Sequence, residues 1–261
     1  MLVDSHCHLD HFKGEERDAV VARAHEAGVT QMVTIGVRLG AGAATVREIA
    51  EHYASSGVFA TVGIHPHNAG EREPPSVEEI LKEADHPRVI GIGESGLDYF
   101  YDKAPRAMQA ESFRRHIHAA RESALPLVIH ARDADADIAA ILEDETGKGA
   151  FPFLLHCFSS GAELARTAVR LGGYVSFSGM LTFPKSEEIR AVAAEVPAER
   201  LLVETDSPYL APVPFRGKRC EPAYVAHTAA RLAQVRGLGI AALAELTTGN
   251  FHRLFQRSHP A

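Results

Sequence analysis

The chain of 261 residues predicts a closed (β/α)8 barrel of the TIM type. Three features predict it. Eight short apolar runs recur in roughly even steps, helical patterns lie between them, and metal-type side chains stand at the exits of runs at both ends of the chain. The third feature favours closure. One site built from the first and last runs needs their exits side by side, which a barrel provides and an open sheet with distant edges does not. No G-x-G-x-x-G turn follows the first run, where a dinucleotide-binding open sheet carries one.

The expected strands are 2–4, 31–35, 58–62, 89–93, 127–129, 153–155, 174–177 and 201–204, apolar and often β-branched, with Gly, Pro or His at their exits. Helical spacing covers 15–27 up to Gly28, and 43–55 up to Gly57. It resumes over 108–123, where Met108, Phe113, Ile117 and Ala120 share a face, over 134–145 before Gly147, and over 162–171 before Gly172. Helices at 186–195, 223–236 and 240–255 complete the pattern. No linker, low-complexity tract or charge run interrupts it, so residues 1–261 are expected to form one domain with its metal site at the C-terminal rim of the strands.

Composition narrows the function classes. With 46% hydrophobic residues the chain can build a large core without disulfides. Cys7, Cys157 and Cys220 are odd in number and lack CxxC or zinc-finger spacing, which predicts free thiols in a reducing compartment. Cys7 and Cys157 each neighbour a candidate ligand, so strand alternation assigns them to packing on the opposite face. MLVDSHCH has no secretory pattern, and no apolar stretch approaches the roughly 20 residues of a membrane span. A cytoplasmic location is expected. The net charge of −7 excludes broad, charge-driven adhesion to nucleic acid, but not a small positive mouth.

Six side chains carry the chemistry: His6 and His8 in DSHCHLD, Glu94 in GIGESGLDY, His130 in LPLVIHARDA, His156 in FLLHCFSS and Asp206 in LLVETDSPYLAP. A spacing of two in extended backbone turns both imidazoles of H-x-H to one face. Gly91 and Gly93 leave room for close approach before Glu94, a carboxylate placed to bridge two cations. Imidazole and carboxylate donors suit two divalent ions such as zinc, manganese or magnesium, and six ligands over two ions leave positions open for water and substrate. Asp206 lies nearest the rim and is the expected proton acceptor, with Glu204 orienting a ligand from behind. His65, in GIHPHN, is expected to hold substrate or a metal-bound water, and His67 to be a loop residue. Arg132 either contacts an anion or pairs with Asp133 or Glu94.

Taken in order, DSHCHLD, GIHPH, GESGLDY, PLVIHARDA, LHCFS and VETDSPYLAP span nearly the whole chain and resemble the TatD family of metal-dependent deoxyribonucleases, within the amidohydrolase-like barrels. The resemblance implies His6, His8, Glu94, His130, His156 and Asp206 as metal ligands, and action on DNA ends as a 3′-to-5′ exonuclease. No obligatory protein partner is evident. The sequence departs from the family in Ser159-Ser160-Gly161 after HCF. It departs again at Cys220, where Asn is usual, beside the basic Arg216, Lys218 and Arg219; this bears on phosphate contacts. The competing expectation is a metal-dependent amide or ester hydrolase acting on a small substrate or an aminoacyl-tRNA, since the same ions polarise a carbonyl and fold does not choose between them.

Overall fold

In the computed structural model, which describes residues 1–258, eight parallel strands pair in sequence order. They are β1 (Leu2–Cys7), β2 (Val29–Ile35), β3 (Val58–Val62), β4 (Val89–Asp98), β5 (Leu127–Arg132), β6 (Phe153–Leu155), β7 (Tyr174–Phe177) and β8 (Leu201–Val203). Three backbone contacts close the ring: a parallel bridge between Cys7 and Ser207, His8 N–H donating to Ser207 O at 2.8 Å, and Asp206 N–H donating to His6 O at 2.9 Å. The barrel therefore shuts at the segments that carry three of the expected ligands.

The helices are α1 (Glu15–Glu26), α2 (Ala41–His52), α3 (Val77–Ala84), α4 (Arg106–Ser123), α5 (Asp135–Gly147), α6 (Ala162–Arg170), α7 (Glu187–Glu195), α8 (Val225–Arg236) and α9 (Ile240–Leu254). Most ends lie within a few residues of the sequence expectation, as fraying turns dictate. Helix α3 was not expected. It has only 8 residues, but Ser76 caps it by accepting from Glu79 N–H at 3.1 Å, a capping signal visible in S-V-E-E. Strands β1, β4 and β5 run further than expected, so His6, Glu94 and His130 lie inside paired strands rather than just beyond them.

Buried side chains from every strand fill the lower barrel: Val3, Val33 with Ile35, Phe59, Ile90, Val128, Leu154, Tyr174 and Leu202. Phe251, Leu254 and Phe255, at the end of α9, join this layer and plug the floor. Alternation from Val128 carries His130 inward, and alternation from Leu202 does the same for Glu204. In β1 the step from Val3 to His6 spans three residues and needs a change of phase, whereas Glu94 stands four residues from Ile90 and is in phase with it. Register shifts between Asp4 and Cys7 in β1, and between Ile92 and Ser95 in β4, lie beside His6 and Glu94.

Helices α4 and α5 are tied by Glu145, whose buried carboxylate accepts from Arg114 at 2.7 Å, Lys148 at 3.0 Å and Arg121 at 3.1 Å. Burial alone would push this carboxyl up, but hydrogen bonds from Lys148, Arg121 and Arg114 hold it down at about 2. Its contribution is therefore present above the unfolded value near 4.5 and lost as pH falls towards 2. Glu145→Gln is expected to lower unfolding free energy at pH 7 by about 2 kcal/mol. Urea titrations should show that deficit shrinking through this acid window, and a deficit independent of pH would contradict the assignment. Gly63 faces Gly93 so closely that a Cβ on it would lie 2.5 Å from Gly93 Cα. Gly63→Ala should cost about 1–3 kcal/mol by overpacking, and an unchanged denaturation midpoint would refute that account.

Candidate metal centre

At the C-terminal rim, the side chains of His6, His8, His65, Glu94, His130, His156 and Asp206 converge. Glu94 is the hub. Its Oε2 lies 3.5 Å from His6 Nε2, while its Oε1 lies 2.7 Å from His156 Nε2, 2.8 Å from His130 Nδ1 and 3.4 Å from His65 Nε2. Asp206 Oδ1 stands 3.5 Å from both His6 Nε2 and His8 Nε2, which are themselves 3.4 Å apart. The rings of His6 and His156 stack with centroids 3.9 Å apart. All six ligands expected from sequence are brought together, and His65 joins them.

Local backbone aims these groups. Asp206, at φ 58°, and Cys157, at φ 43°, occupy the left-handed region, which non-glycine residues enter at a cost of roughly 1–3 kcal/mol. A Cβ on Gly96, at φ +150°, would meet His130 O at 2.0 Å, so only glycine lets β4 lie this close to the His130 backbone. Beneath the seam, buried Asp4 accepts from Thr205 Oγ1 at 2.6 Å, Thr205 N–H at 2.9 Å and His6 N–H at 3.3 Å. Burial pushes the Asp4 carboxyl up to about 8 against those hydrogen bonds.

The electrostatics are those of a buried mixed cluster. Burial pushes Glu94 up, yet His156 and His65, with hydrogen bonds from His130 and His156, hold it well below the usual carboxylate range. His156 moves the opposite way: burial lowers it, and Glu94 and Glu204 overcome that and raise it well above the usual imidazole range. Burial takes His65 down to about 4. Asp206 stays below its ordinary value because its contacts with His8, His6 and His156 outweigh burial.

These residues fit a divalent cation. Imidazole nitrogens and carboxylate oxygens are the donor set for first-row divalent ions. His6 Nδ1 and Glu204 Oε2 are buried without a hydrogen-bond partner, a sign of unmet polar demand at the cluster. Two of the histidines are also oriented by a carboxylate on the ring nitrogen away from the nearest Glu94 contact. His130 Nε2 lies 3.0 Å from Asp98 Oδ2, and His156 Nδ1 lies 3.2 Å from Glu204 Oε1. A proton held at each of these nitrogens leaves the other nitrogen's lone pair facing the centre.

Several expectations are corrected. Asp98 was not singled out, because β4 was expected to stop at Gly93; once the strand runs to 98, its position four residues after Glu94 is a usable signal. His67 is not an ordinary loop residue, since its Nε2 lies 2.8 Å from Asp98 Oδ2. Arg132 pairs with neither Asp133 nor Glu94. Its guanidinium lies over the rings of Phe100 and Tyr101, at 4.4 and 4.8 Å from their centroids. Cys7 is buried in the apolar core as expected, with its thiol donating to Val33 O at 3.3 Å. Cys157 is only half-buried and sits 3.2 Å from Ser178 Oγ, outside that core, because its left-handed backbone breaks the alternation. Cys220 is buried and its N–H donates to Pro208 O at 3.0 Å, so it anchors the basic loop rather than facing a phosphate. All three cysteines are free. Among the described residues no helix is long and apolar enough to cross a membrane.

Residues 3–256 match the family described as TatD related DNase. The chain is similar to the uncharacterized metal-dependent hydrolase YcfH of Escherichia coli strain K12, with 42% identity over 260 residues covering 97% of this chain and 95% of the relative. It is 34% identical over 248 residues to the 3′-5′ ssDNA/RNA exonuclease TatD of Escherichia fergusonii, covering 92% of this chain and 93% of the relative. The crystal structure of YJJV, a TatD homologue from Escherichia coli K12, matches with a TM-score of 0.89 and 28% identity over 98% of each chain.

Asp98→Asn keeps the size of the side chain but weakens its hold on His130. Affinity for zinc, measured by competition with a chromogenic chelator, is expected to fall about 10–100-fold. Wild-type affinity in this variant would exclude an orienting role for Asp98.

Proposed function

We propose that this protein, which belongs to the TatD-related DNase family and is a metal-dependent hydrolase, cleaves phosphodiester bonds of DNA by removing nucleotides from the 3′ end. The observation that carries this reading is the shared carboxylate. One oxygen of Glu94 faces His6, and the other faces His65, His130 and His156, so a single side chain belongs to two overlapping donor groups. On this reading His6, His8, Glu94, His130, His156 and Asp206 hold two divalent cations, with zinc, manganese or magnesium compatible with the donors. Bound there, such ions lower the pKa of water and offset negative charge on a scissile phosphate.

The protein's own groups do the rest. Asp206 keeps 16% of its side chain exposed, more than the other carboxylate of the centre, and its Oδ1 takes the proton of the attacking water. Glu94 fixes the spacing of the two donor groups. His65 Nδ1 accepts from His67 N–H at 3.0 Å, which leaves the proton of its neutral ring at Nε2, available to a phosphate oxygen. Arg132 supplies a cation at the same mouth.

Support for DNA comes from the relative named as a 3′-5′ ssDNA/RNA exonuclease and from charge placement. Arg132, Arg216 and Lys218 make no ion pair among the described residues, and each lies over an aromatic ring. A net charge of −7 with these few free cations suits a grip on a strand end rather than coverage of a duplex. The reading needs no second protein, and places the enzyme in the cytoplasm.

Metal-stripped protein, given 3′- or 5′-labelled DNA and each divalent ion in turn, should release mononucleotides from the 3′ end. DNA left intact under every ion would overturn the proposal and favour an amide or ester substrate. Asp206→Asn is expected to retain the fold, by circular dichroism, and to lose about 10²–10⁴-fold in kcat. Turnover at the wild-type rate would remove Asp206 from its assigned role.

A further inference from the structure

Beside the metal centre, the turn after β4 holds two large aromatic side chains in solvent. Phe100 is 56% exposed and Tyr101 51% exposed, although a folded chain hides rings of this size where it can. Their rings meet edge to face at 4.9 Å. Arg132 lies over both, and Lys103 Nζ is 5.5 Å from the Tyr101 centroid. Neither cation has a carboxylate partner among the described residues, whereas Asp102 in the same turn is paired with Arg106. The patch is thus apolar in its faces and positive at its edge.

It is also fixed to the site. Tyr101 N–H donates to Asp98 Oδ1 at 2.8 Å, and the other oxygen of the same carboxylate lies 3.0 Å from His130 Nε2. Tyr99 N–H donates to Arg132 O at 2.9 Å, which holds the turn against the end of β5. The Tyr101 ring stands 5.2 Å from His67, which is 4.4 Å from His65. A ligand lying on these rings is therefore within one side chain of the residues assigned to the phosphate.

We propose that Phe100 and Tyr101, with Arg132 at their edge, form a stacking subsite for an unpaired nucleobase next to the scissile phosphate. This deepens the nucleic-acid reading and rests on it. Every base offers a π face, so such a platform accepts any sequence, while the guanidinium meets the adjoining phosphate. A base inside a duplex has both faces covered by its neighbours and cannot lie there. The subsite selects strand ends that are single-stranded.

The test compares, on metal-loaded protein, the affinity for a fluorescent oligothymidylate blocked by phosphorothioate linkages with that for an abasic chain of equal length. Stacking of one base predicts a preference on the order of tenfold or more for the thymidylate. The variant F100A/Y101A is expected to erase that preference, and F100W/Y101W to retain it, a pattern that loss of structure does not produce. Equal binding of the two chains by wild type, or a preference that survives F100A/Y101A, would overturn the subsite. A base preference that F100A/Y101A erases, without cleavage of unmodified DNA under any ion, would support the subsite and sink the exonuclease reading. Cleavage without base preference would do the reverse.

Discussion

A carboxylate buried at the rim among imidazoles is the constraint on which the rest depends. Glu94 cannot remain ionised in a dry interior without partners, because an isolated buried charge costs far more than a protein's net stability. Its partners come from β1, β5, the residue just after β6 and the loop after β3, so they assemble only when the strands take their order around the ring. The hydrogen bonds that close the barrel join the backbones of His6 and His8 to those of Asp206 and Ser207. Closing the fold and assembling the centre are thus one event, and buried Asp4 clamps it from below through Thr205 and His6.

The centre is held in place at more than one depth. Behind His130 stands Asp98, itself held by Gln109 Oε1 accepting its N–H at 2.8 Å, and behind His156 stands Glu204. Each fixes the orientation of its ring. His6 has no such carboxylate; it is held by stacking on His156.

At the mouth the chain reverses its overall character. The molecule is acidic, yet Arg132 and Lys103 beside the centre, and Arg216 and Lys218 in the loop after β8, make no ion pair among the described residues, and each rests on a ring. Guanidinium and ammonium groups placed over aromatic faces can meet an anion without first breaking an ion pair. Barrel enzymes keep their floor for stability and vary their upper loops for chemistry. Here the floor is the layer plugged by Phe251 and Phe255, and the upper face carries the turn with Phe100 and Tyr101.

The fold, and the gathering of six metal-type side chains at one rim, were legible in sequence because both rest on local pattern. Apolar runs, helical spacing and glycine stops report secondary structure, and His, Glu or Asp at a run's exit reports position on a barrel rim. Helix α3 was also legible, through its Ser76 cap, but too short to stand out by periodicity. The remainder was decided by tertiary structure. The register shift in β1, which no residue pattern announces, accounts for His6, three residues from Val3, facing inward. Asp98 became a support because β4 continues past Glu94, and Arg132 chose rings over carboxylates because the β4 turn placed two rings within reach. Cys157 left the core because its backbone turned left-handed. Composition and periodicity state which side chains a segment carries, whereas the partner of each is set by strand register and loop path, which depend on contacts distant in the chain.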